Sequence, residues 1–279
     1  MTCISCITRR NLADWSLASD QGRRKAGLPM NDIQFAAIPL QNPLYKEVKR
    51  QIMAELVSGE WKPGNAIPAE KKLSERFAVS IGTIRKAIDE LVAENILIRQ
   101  QGRGTFVATH NRDRLLFYFF HIVGHDGTKQ YPVVRLGAFG KGKAEDDEAV
   151  RLDIHRGDAV FRIRNILSLA NAPVIVDDIV IAQQRFPGLT ERQFTGRPNT
   201  IYNLYQDAFG ISVVRAQERL RAIRADAQYA RLLKVTTGAP LLRIARTAYS
   251  YQDVPVESRI STVNTGQHEY WSEIRNSER

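Results

Sequence analysis

The stretch from Ile67 to Val107 constrains the fold more tightly than any other part of the chain. Its sequence, IPAEKKLSERFAVSIGTIRKAIDELVAENILIRQQGRGTFV, predicts a short helix, a tight turn, a second helix and a glycine-tipped hairpin. In the first helix, Leu73 and Phe77 lie four residues apart and form one apolar stripe. Ser80 can cap the second helix by accepting a hydrogen bond from the backbone N–H of Thr83. Two helices joined by so short a turn predict a helix-turn-helix, in which the second helix enters the major groove of DNA.

The hairpin that follows the second helix supports the same interpretation. Ile96-Leu97-Ile98 is an apolar run typical of a strand, and Phe106-Val107 returns as its partner. The polar tip between them, Gln100–Thr105, contains glycines that allow the backbone to approach a phosphate closely, and Arg103 adds a cation. Taken one at a time, most of these residues would also fit a small helical subdomain with a solvated basic edge. Their order and spacing together favour a winged helix-turn-helix that binds DNA.

The motifs between Pro43 and Val107 resemble those of the GntR family of bacterial transcription regulators. In chain order they are Pro43-Leu44-Tyr45, Trp61-Lys62-Pro63-Gly64, Ile67-Pro68-Ala69-Glu70, Val79-Ser80, Thr83-Ile84-Arg85 and Gly102-Arg103-Gly104-Thr105-Phe106-Val107. The resemblance implies DNA contacts from the residue after Pro-x-Glu, from the start of the second helix and from the wing tip. By position these are Lys71, Ser80, Ile81, Gly82, Thr83, Arg85, Gln101, Gly102 and Arg103. Many relatives have arginine, which often reads guanine, at the position of Ile81, so we expect an operator that differs from the commonest half-site.

Composition limits the remaining classes of function. The net charge of +10 and the pI near 9.7 suit a polyanionic partner, although charge bears on association rather than on fold. No apolar run approaches the roughly 18 residues of a membrane span, so we expect no membrane partner. Cys3 and Cys6 form a single C-x-x-C without the second pair of a zinc site, and we expect a reduced, cytoplasmic protein.

Catalytic and cofactor chemistry has little support in the sequence. The five histidines are scattered, with no metal-ligand spacing and no nucleophile beside them. Gly137, Gly140 and Gly142 lack the G-x-G-x-x-G order of a phosphate-binding loop. We therefore expect no catalytic residue, no metal and no cofactor.

Four segments follow one another along the chain. Residues 1–39 have no core-forming pattern and are expected to be a disordered extension, with Met30 as an alternative start of translation. Residues 40–108 form the predicted winged helix-turn-helix. Residues 109–113 form a polar linker without apolar anchors, and residues 114–279 form a second domain.

The second domain is predicted to be α+β, with an antiparallel sheet and a few helices. An internal repeat about 81 positions long supports this prediction. Val160-Phe161-Arg162-Ile163 recurs as Leu241-Leu242-Arg243-Ile244, and the preceding helix and glycine turn recur with it. Two such units can pair into one antiparallel sheet, with helices on a face and a crevice between the copies.

The motifs of this half resemble the UTRA effector-binding domain of the HutC subgroup within the same family. They lie in the expected order, at Gly157-Asp158, Arg162-Ile163-Arg164, Ala172-Pro173, Ile201-Tyr202, Gly238-Ala239-Pro240 and Pro255-Val256-Glu257. The resemblance implies a chorismate-lyase-like α+β fold that binds a small effector. In members that bind sugar phosphates, an Arg-x-Arg strand, a hydroxyl residue before the Ile-Tyr helix and the Pro-x-Glu carboxylate contact the ligand. By position these are Arg162, Arg164, Thr200 and Glu257.

The charge pattern of the second domain indicates an anionic effector. Arg162 and Arg164 are two apart on one predicted strand, so both guanidinium groups leave the same face and can bind a carboxylate or a phosphate. Glu218 lies on the apolar face of the strand over Val213–Ile223, where an unpaired carboxylate is costly. The candidate effector-binding residues are Arg162, Arg164, Asp178, Thr200, Glu218 and Glu257. The alternative is an internal salt-bridge network among Arg162, Arg164, Asp178, Glu218 and Glu257.

Together these patterns predict a dimeric, ligand-responsive regulator that binds a palindromic double-stranded operator. A small anionic metabolite would release it, so that it represses a small catabolic or transport operon. Three alternatives stay open at this point: an α+β enzyme domain fused to a DNA-binding module, an all-helical metal-binding effector domain, and an architectural DNA binder without a ligand.

Overall fold

The computed structural model describes residues 43–110, 118–197 and 200–273. The predicted extension over residues 1–39 lies outside these ranges, as do residues 111–113 of the predicted linker. Within the described ranges, no helix combines the length and the apolar character needed to cross a membrane.

Three helices and a hairpin form the first part, which we call the reader (residues 43–110). They are α1 (Leu44–Val57), α2 (Glu70–Phe77), α3 (Ile81–Ala93), β1 (Leu97–Gln100) and β2 (Gly104–Val107). Helix α2 ends where Ala78 adopts a left-handed backbone with φ of 52°, and Ser80 caps α3 as predicted. Leu73, Ile84 and Leu91 are fully buried in one core. The predicted winged helix-turn-helix is confirmed.

A six-stranded antiparallel sheet with helices on both faces forms the second part. Its strands are β4 (Val133–Lys143), β5 (Ala159–Leu169), β6 (Ala172–Ala182), β7 (Arg215–Arg224), β8 (Pro240–Tyr249) and β9 (Pro255–Val263). Its helices are α4 (Asp146–Leu152), α5 (Glu191–Thr195), α6 (Ile201–Phe209) and α7 (Ala227–Leu233). The sheet order is β4-β5-β6-β9-β8-β7. The α+β prediction is confirmed.

A separate two-stranded sheet pairs β3 (Ile122–Gly124) with β10 (His268–Tyr270). Phe119 lies before β3, outside the two-stranded sheet. Instead of pairing with a neighbouring strand, the carbonyl of Phe119 accepts a hydrogen bond from the Arg246 side chain.

The sheet order follows from the internal repeat. The units β4-α4-β5-β6 and β7-α7-β8-β9 are two copies, and α4 and α7 begin and end 81 positions apart. Asp153 and Lys234 end these two helices with the same left-handed backbone, with φ of 51° and 56°. The copies meet where β6 pairs with β9, and Asp178 lies directly opposite its repeat equivalent, Ile260. A pseudo-two-fold axis therefore passes between these two residues.

The two faces of the large sheet carry different helices. Val160 and Val180 pack with α4, and Ile166 and Val176 pack with α7. On the opposite face, a cluster that includes Ile179 packs against α6. Because side chains alternate along a strand, the even-numbered residues of β5 and β6 point to the α4/α7 face and the odd-numbered ones to the α6 face.

The hairpin between β8 and β9 connects the second part to the reader. It turns at Tyr251–Asp253, where Gln252 and Asp253 have φ of 58° and 56°. The turn places Tyr251, which is 8% exposed, in the reader core beside Val48 and Ile52 of α1. A residue from the second part, in the turn between β8 and β9, thus completes the core of the reader.

Candidate functional sites

The start of α3 presents a polar, exposed surface. Ile81 and Gly82 are exposed on its first turn. The Oγ of Ser80 accepts a hydrogen bond from the Thr83 N–H at 3.2 Å and lies 2.9 Å from the Thr83 Oγ1. Backbone N–H groups and hydroxyls at a helix start are well suited to contact a phosphate or a base edge.

Arg85 on α3 is held by Glu70 at the start of α2. The Nε and Nη2 atoms of Arg85 lie 3.2 and 2.9 Å from Glu70 Oε2. The hydrogen bonds that Arg85 donates to Glu70 raise the pKa of Arg85. Glu70 also lies 3.7 Å from Arg99 of β1, which links the helix to the wing. Because Arg85 is 59% exposed, the pair orients its guanidinium group rather than stabilising the fold.

The wing tip consists of Gln101, Gly102 and Arg103, all exposed. Gly102 has φ of 71°, a left-handed conformation that closes the turn between β1 and β2. Lys71 is exposed on α2. Of the nine residues predicted to contact DNA, eight are exposed and Thr83 is half-buried.

A cavity of about 460 Å³ lies on the α6 face of the large sheet, and we call it the α6-face pocket. Its floor is made by residues of β5, β6, β8 and β9. Thr200 and Ile201 at the start of α6 form one wall, and residues 131–134 form another. Three arginines line it: Arg197, Arg246 and Arg259.

Arg259 lies at the floor of the pocket between two buried carboxylates. Its Nε and Nη2 donate to Glu257 at 2.9 and 3.0 Å, and its Nη1 lies 3.2 Å from Asp177 Oδ2. The hydroxyls of Tyr202 and Tyr205 donate to Glu257 at 3.2 and 2.8 Å. Glu257 is fully buried beneath Arg259 and does not line the pocket. Glu257 therefore holds Arg259 in place.

Asp177 and Glu257 share the single positive charge of Arg259, and this sharing affects the pKa of Asp177 at the floor of the pocket. Burial raises the pKa of Asp177, and the attraction of Arg259 only partly opposes the effect because Glu257 binds the same guanidinium. Burial also raises the pKa of Tyr202 to about 12, so its hydroxyl stays protonated and donates to Glu257.

Arg246 and Glu218 form a second ion pair at the side of the pocket, with side chains 10% and 11% exposed. Arg246 Nε lies 2.6 Å from Glu218 Oε1, and the Tyr270 hydroxyl donates to the same carboxylate. Burial acts to raise the pKa of Glu218, but the charge of Arg246 and the hydrogen bonds from Tyr270 and Arg246 outweigh it. The pKa of Glu218 is therefore lowered.

Arg197 and Asn165 have polar atoms that the described protein does not satisfy. The buried Nε of Arg197 and the buried Oδ1 of Asn165 have no hydrogen-bond partner among the described residues. The guanidinium of Arg197 lies 4.4 Å from the ring centroid of Phe194 and pairs with no carboxylate in the described ranges. Burial lowers the pKa of Arg197, and the charge of Arg259 adds to the effect. The pocket thus combines an uncompensated cation with an unpaired acceptor.

The six predicted effector-binding residues are divided between the two faces of the sheet. Thr200 and Glu218 line the α6-face pocket, and Glu257 supports it from beneath. The other three, Arg162, Arg164 and Asp178, lie on the α4/α7 face, because side chains alternate along β5 and β6. The six residues therefore do not form one site, which corrects the prediction.

The arginines on the α4/α7 face already have protein partners. Arg162 donates to Glu148 of α4 at 2.5 and 2.8 Å, and Arg164 Nε lies 2.6 Å from Asp178 Oδ1. Of the five residues in the alternative prediction of an internal network, only Arg164 and Asp178 pair with each other, and the other three pair with residues outside that set. The pairs are Arg162–Glu148, Arg164–Asp178, Arg246–Glu218 and Arg259–Glu257.

Five residues of the pocket were missed as effector candidates: Asn165, Asp177, Arg197, Arg246 and Arg259. Two of them had a signal in the sequence. Asp177 interrupts the apolar run of β6, and Arg259 follows Glu257 by two positions and so shares its face. Arg197 had none, because it lies between two helices and its direction depends on how they pack. No cluster of three or more His, Cys, Asp or Glu residues suited to a metal ion occurs in the part of the chain that the structure describes.

Comparison with known families gives two matches along the chain. Residues 44–107 match bacterial regulatory proteins of the gntR family, and residues 129–269 match the UTRA domain. The two matches cover the reader and most of the second part, including the strands that form the floor of the α6-face pocket.

Individual relatives agree with these matches. The probable fructoselysine utilization operon transcriptional repressor of Escherichia coli K12 is 31% identical over 76% of this chain and 87% of its own length. The histidine utilization repressor of Pseudomonas aeruginosa is 29% identical over 78% of this chain and 85% of its own length. Among solved structures, the ligand-binding domain of a protein assigned to the GntR-family transcriptional regulators of Bordetella bronchiseptica is 31% identical. It covers 57% of this chain and 99% of its own, with a TM-score of 0.54.

Proposed function

Since the chain belongs to the gntR family of bacterial regulatory proteins and carries a UTRA domain, we propose that it represses a catabolic operon as a ligand-released homodimer. The family and the relatives are transcription regulators, so the function is regulation and the alternative of a fused enzyme is set aside. The relatives named for fructoselysine and histidine utilization support a catabolic operon. The proposed domain bounds stay at residues 40–108 and 114–279.

The reader binds operator DNA through α3 and the wing. Arg85, held by Glu70, is the main candidate for a base contact, since a guanidinium held in a fixed direction reads a base edge well. The hydroxyls and N–H groups at the start of α3 and the wing tip contact phosphates. The full proposed set is Lys71, Ser80, Ile81, Gly82, Thr83, Arg85, Gln101, Gly102 and Arg103. One reader covers one half-site, so two copies related by a two-fold axis would bind a palindrome.

The α6-face pocket is the proposed effector site, and Arg197 is the observation that carries this proposal. An arginine that is partly buried without a carboxylate needs a counter-anion, and a ligand carboxylate or phosphate would supply it. The unpaired Oδ1 of Asn165 and the Asp177 carboxylate accept hydrogen bonds, so the same ligand would carry hydroxyl or amino donors. The effector is therefore a small anionic metabolite with donor groups.

The DNA-binding half of the proposal is tested by footprinting and by titration of the operator. A two-fold symmetric footprint is expected, with affinity that falls steeply as salt rises. Arg85→Ala should weaken operator binding about tenfold or more. Arg50→Ala is the matched control, because Arg50 is also exposed, 68% against 59% for Arg85, and pairs with Glu47 on its own helix α1. Equal losses for both variants would show that only net charge matters and would refute specific reading by Arg85.

The effector half is tested by screening anionic metabolites, with neutral analogues beside them, for release of the operator-bound protein. The ligand found should bind Arg197→Gln about tenfold or more weakly, since each charge-assisted hydrogen bond contributes on the order of 1.5–3 kcal/mol. Arg192→Gln on α5 removes the same charge from an exposed position outside the pocket and should bind the ligand normally. A ligand that binds both variants equally well would place the anion elsewhere.

A further inference from the structure

A second cleft of about 460 Å³ lies on the α4/α7 face, on the opposite side of the sheet from the α6-face pocket. Its charged lining includes Arg151, Arg162, Arg164, Asp178 and Arg243. Four arginines therefore face two carboxylates, Asp178 and Glu148, within the same cleft. We call it the α4/α7-face cleft.

The internal repeat shows where this excess positive charge arises. Arg162 in the first copy and Arg243 in the second are equivalent, 81 positions apart. In the first copy, Glu148 of α4 neutralises Arg162 at 2.5 Å. The equivalent position on α7 is Tyr229, which has no charge to offer at neutral pH. Within the described ranges, Arg243 makes no ion pair with a carboxylate.

Strand β7, which pairs with the strand that carries Arg243, adds to the excess of positive charge in the second copy. In the first copy, Arg162 lies directly opposite Gly140 on β4. In the second copy, Arg243 lies directly opposite Arg221 on β7, and two like charges in this position repel each other. Burial lowers the pKa of Arg243, and the charges of Arg221 and Arg151 add to the effect. The second copy has thus lost a carboxylate and gained a cation relative to the first.

We propose that the α4/α7-face cleft binds a compact oxyanion, a phosphate or carboxylate group of a small metabolite, between Arg243 and Arg151. Arg151 is already oriented, because its Nε donates to the buried Ser258 Oγ at 2.9 Å. An anion in this place takes the role that Glu148 has in the first copy. This second site is separate from the effector pocket, since the sheet lies between them.

The test measures the melting temperature of the full chain in inorganic phosphate against chloride at matched ionic strength. Phosphate should stabilise the parent, and Arg243→Gln should reduce its apparent affinity for phosphate about tenfold or more. Arg224→Gln is the matched control, because it removes the same charge from the end of the neighbouring strand β7, outside the cleft. A parallel titration with acetate and citrate distinguishes a phosphate site from a carboxylate site.

Arg221→Glu gives an independent test that does not remove an arginine from the cleft. It places a carboxylate directly opposite Arg243 on an exposed edge strand, so the internal pair should replace the anion. This variant should melt above the parent in chloride and gain little from phosphate. If it responds to phosphate as the parent does, the proposal is wrong.

Two further outcomes would overturn the proposal without affecting the effector pocket. If Arg197→Gln abolishes the phosphate response and Arg243→Gln retains it, the anion binds on the α6 face. If phosphate has no effect but Arg243→Gln dissociates a dimer, a carboxylate of a second copy fills the cleft instead of a free anion.

Discussion

Replacing Tyr251 should destabilise the reader, although the residue belongs to the second part of the chain, in the turn between β8 and β9. Its side chain is 8% exposed and lies in the reader core with Val48 and Ile52. An aromatic side chain buries about 150–250 Å², which at about 25 cal/mol per Å² corresponds to about 4–6 kcal/mol for complete burial. We take about half of this value for the contact with the reader, because a denatured chain already buries part of the same surface. Tyr251→Ala should therefore destabilise the reader by about 2–3 kcal/mol.

Hydrogen exchange on α1 measures this effect directly. A loss of about 2–3 kcal/mol corresponds to about 30- to 150-fold faster exchange of the most protected amides in Leu44–Val57. Tyr249→Ala is the matched control, because Tyr249 lies two residues earlier on the same hairpin and stacks on Arg215 outside the reader core. Tyr251→Phe keeps the ring, so its α1 amides should exchange more slowly than those of Tyr251→Ala.

Two results would refute this reasoning about Tyr251. Unchanged exchange of α1 in Tyr251→Ala would mean that the reader core closes without the tyrosine. Equal acceleration by Tyr249→Ala would mean that any disturbance of the hairpin loosens α1, and that the ring of Tyr251 has no special part.

Three further predictions concern single side chains. Glu218 has a lowered pKa in the folded protein, so its pair with Arg246 stabilises the fold at neutral pH, and this contribution is lost only as pH falls below the ordinary glutamate value of 4.5. The difference in melting temperature between Glu218→Gln and the parent should therefore stay constant from neutral pH down to that value and shrink below it. Tyr205→Phe removes a 2.8 Å hydrogen bond from the fully buried Glu257 and should cost about 1–3 kcal/mol in urea unfolding, with little loss if water replaces the hydroxyl. Ser80→Ala removes the cap of α3 and should cost about 1 kcal/mol of stability. Ser80→Asp should restore most of this stability, because aspartate also caps a helix. Equal melting temperatures for Ser80→Ala and Ser80→Asp would contradict the capping role.

The reader could be predicted closely from sequence because its signals are local. The cap at Ser80 depends on neighbours within a few residues, and it is found where predicted. The left-handed residues Ala78 and Asn95, which follow α2 and α3, are local features of the same kind. The pairing of two repeat units in one antiparallel sheet could also be predicted, because alternation and the repeat of about 81 residues can be read directly from the sequence. Predictions from local signals of this kind do not require knowing which other helices or strands pack against the segment.

The effector site could be predicted only in part because it depends on which face of the sheet each helix covers. Alternation showed that Arg162 and Arg164 share a face, but it does not say whether that face looks toward α6. Arg164 and Asn165 are adjacent in sequence and point to opposite sides of the sheet. Which of these two faces α6 covers depends on the packing of Tyr202 and Tyr205 over Glu257. This is a contact between residues more than 50 positions apart.

The β8–β9 hairpin offers a route by which an occupied pocket could act on the reader. Arg246 on β8 and Arg259 on β9 line the α6-face pocket, and Tyr251 at the turn between these strands lies in the reader core. A ligand can change the DNA-bound population only through contacts that differ between two states. An anion that draws Arg246 or Arg259 from its present carboxylate changes the position of a strand whose end is anchored beside α1. The pocket and the reader are then linked through one continuous segment of backbone, which Tyr251 anchors in the reader core. Loss of the Tyr251 side chain should therefore leave effector binding intact but weaken the effector-induced release from the operator.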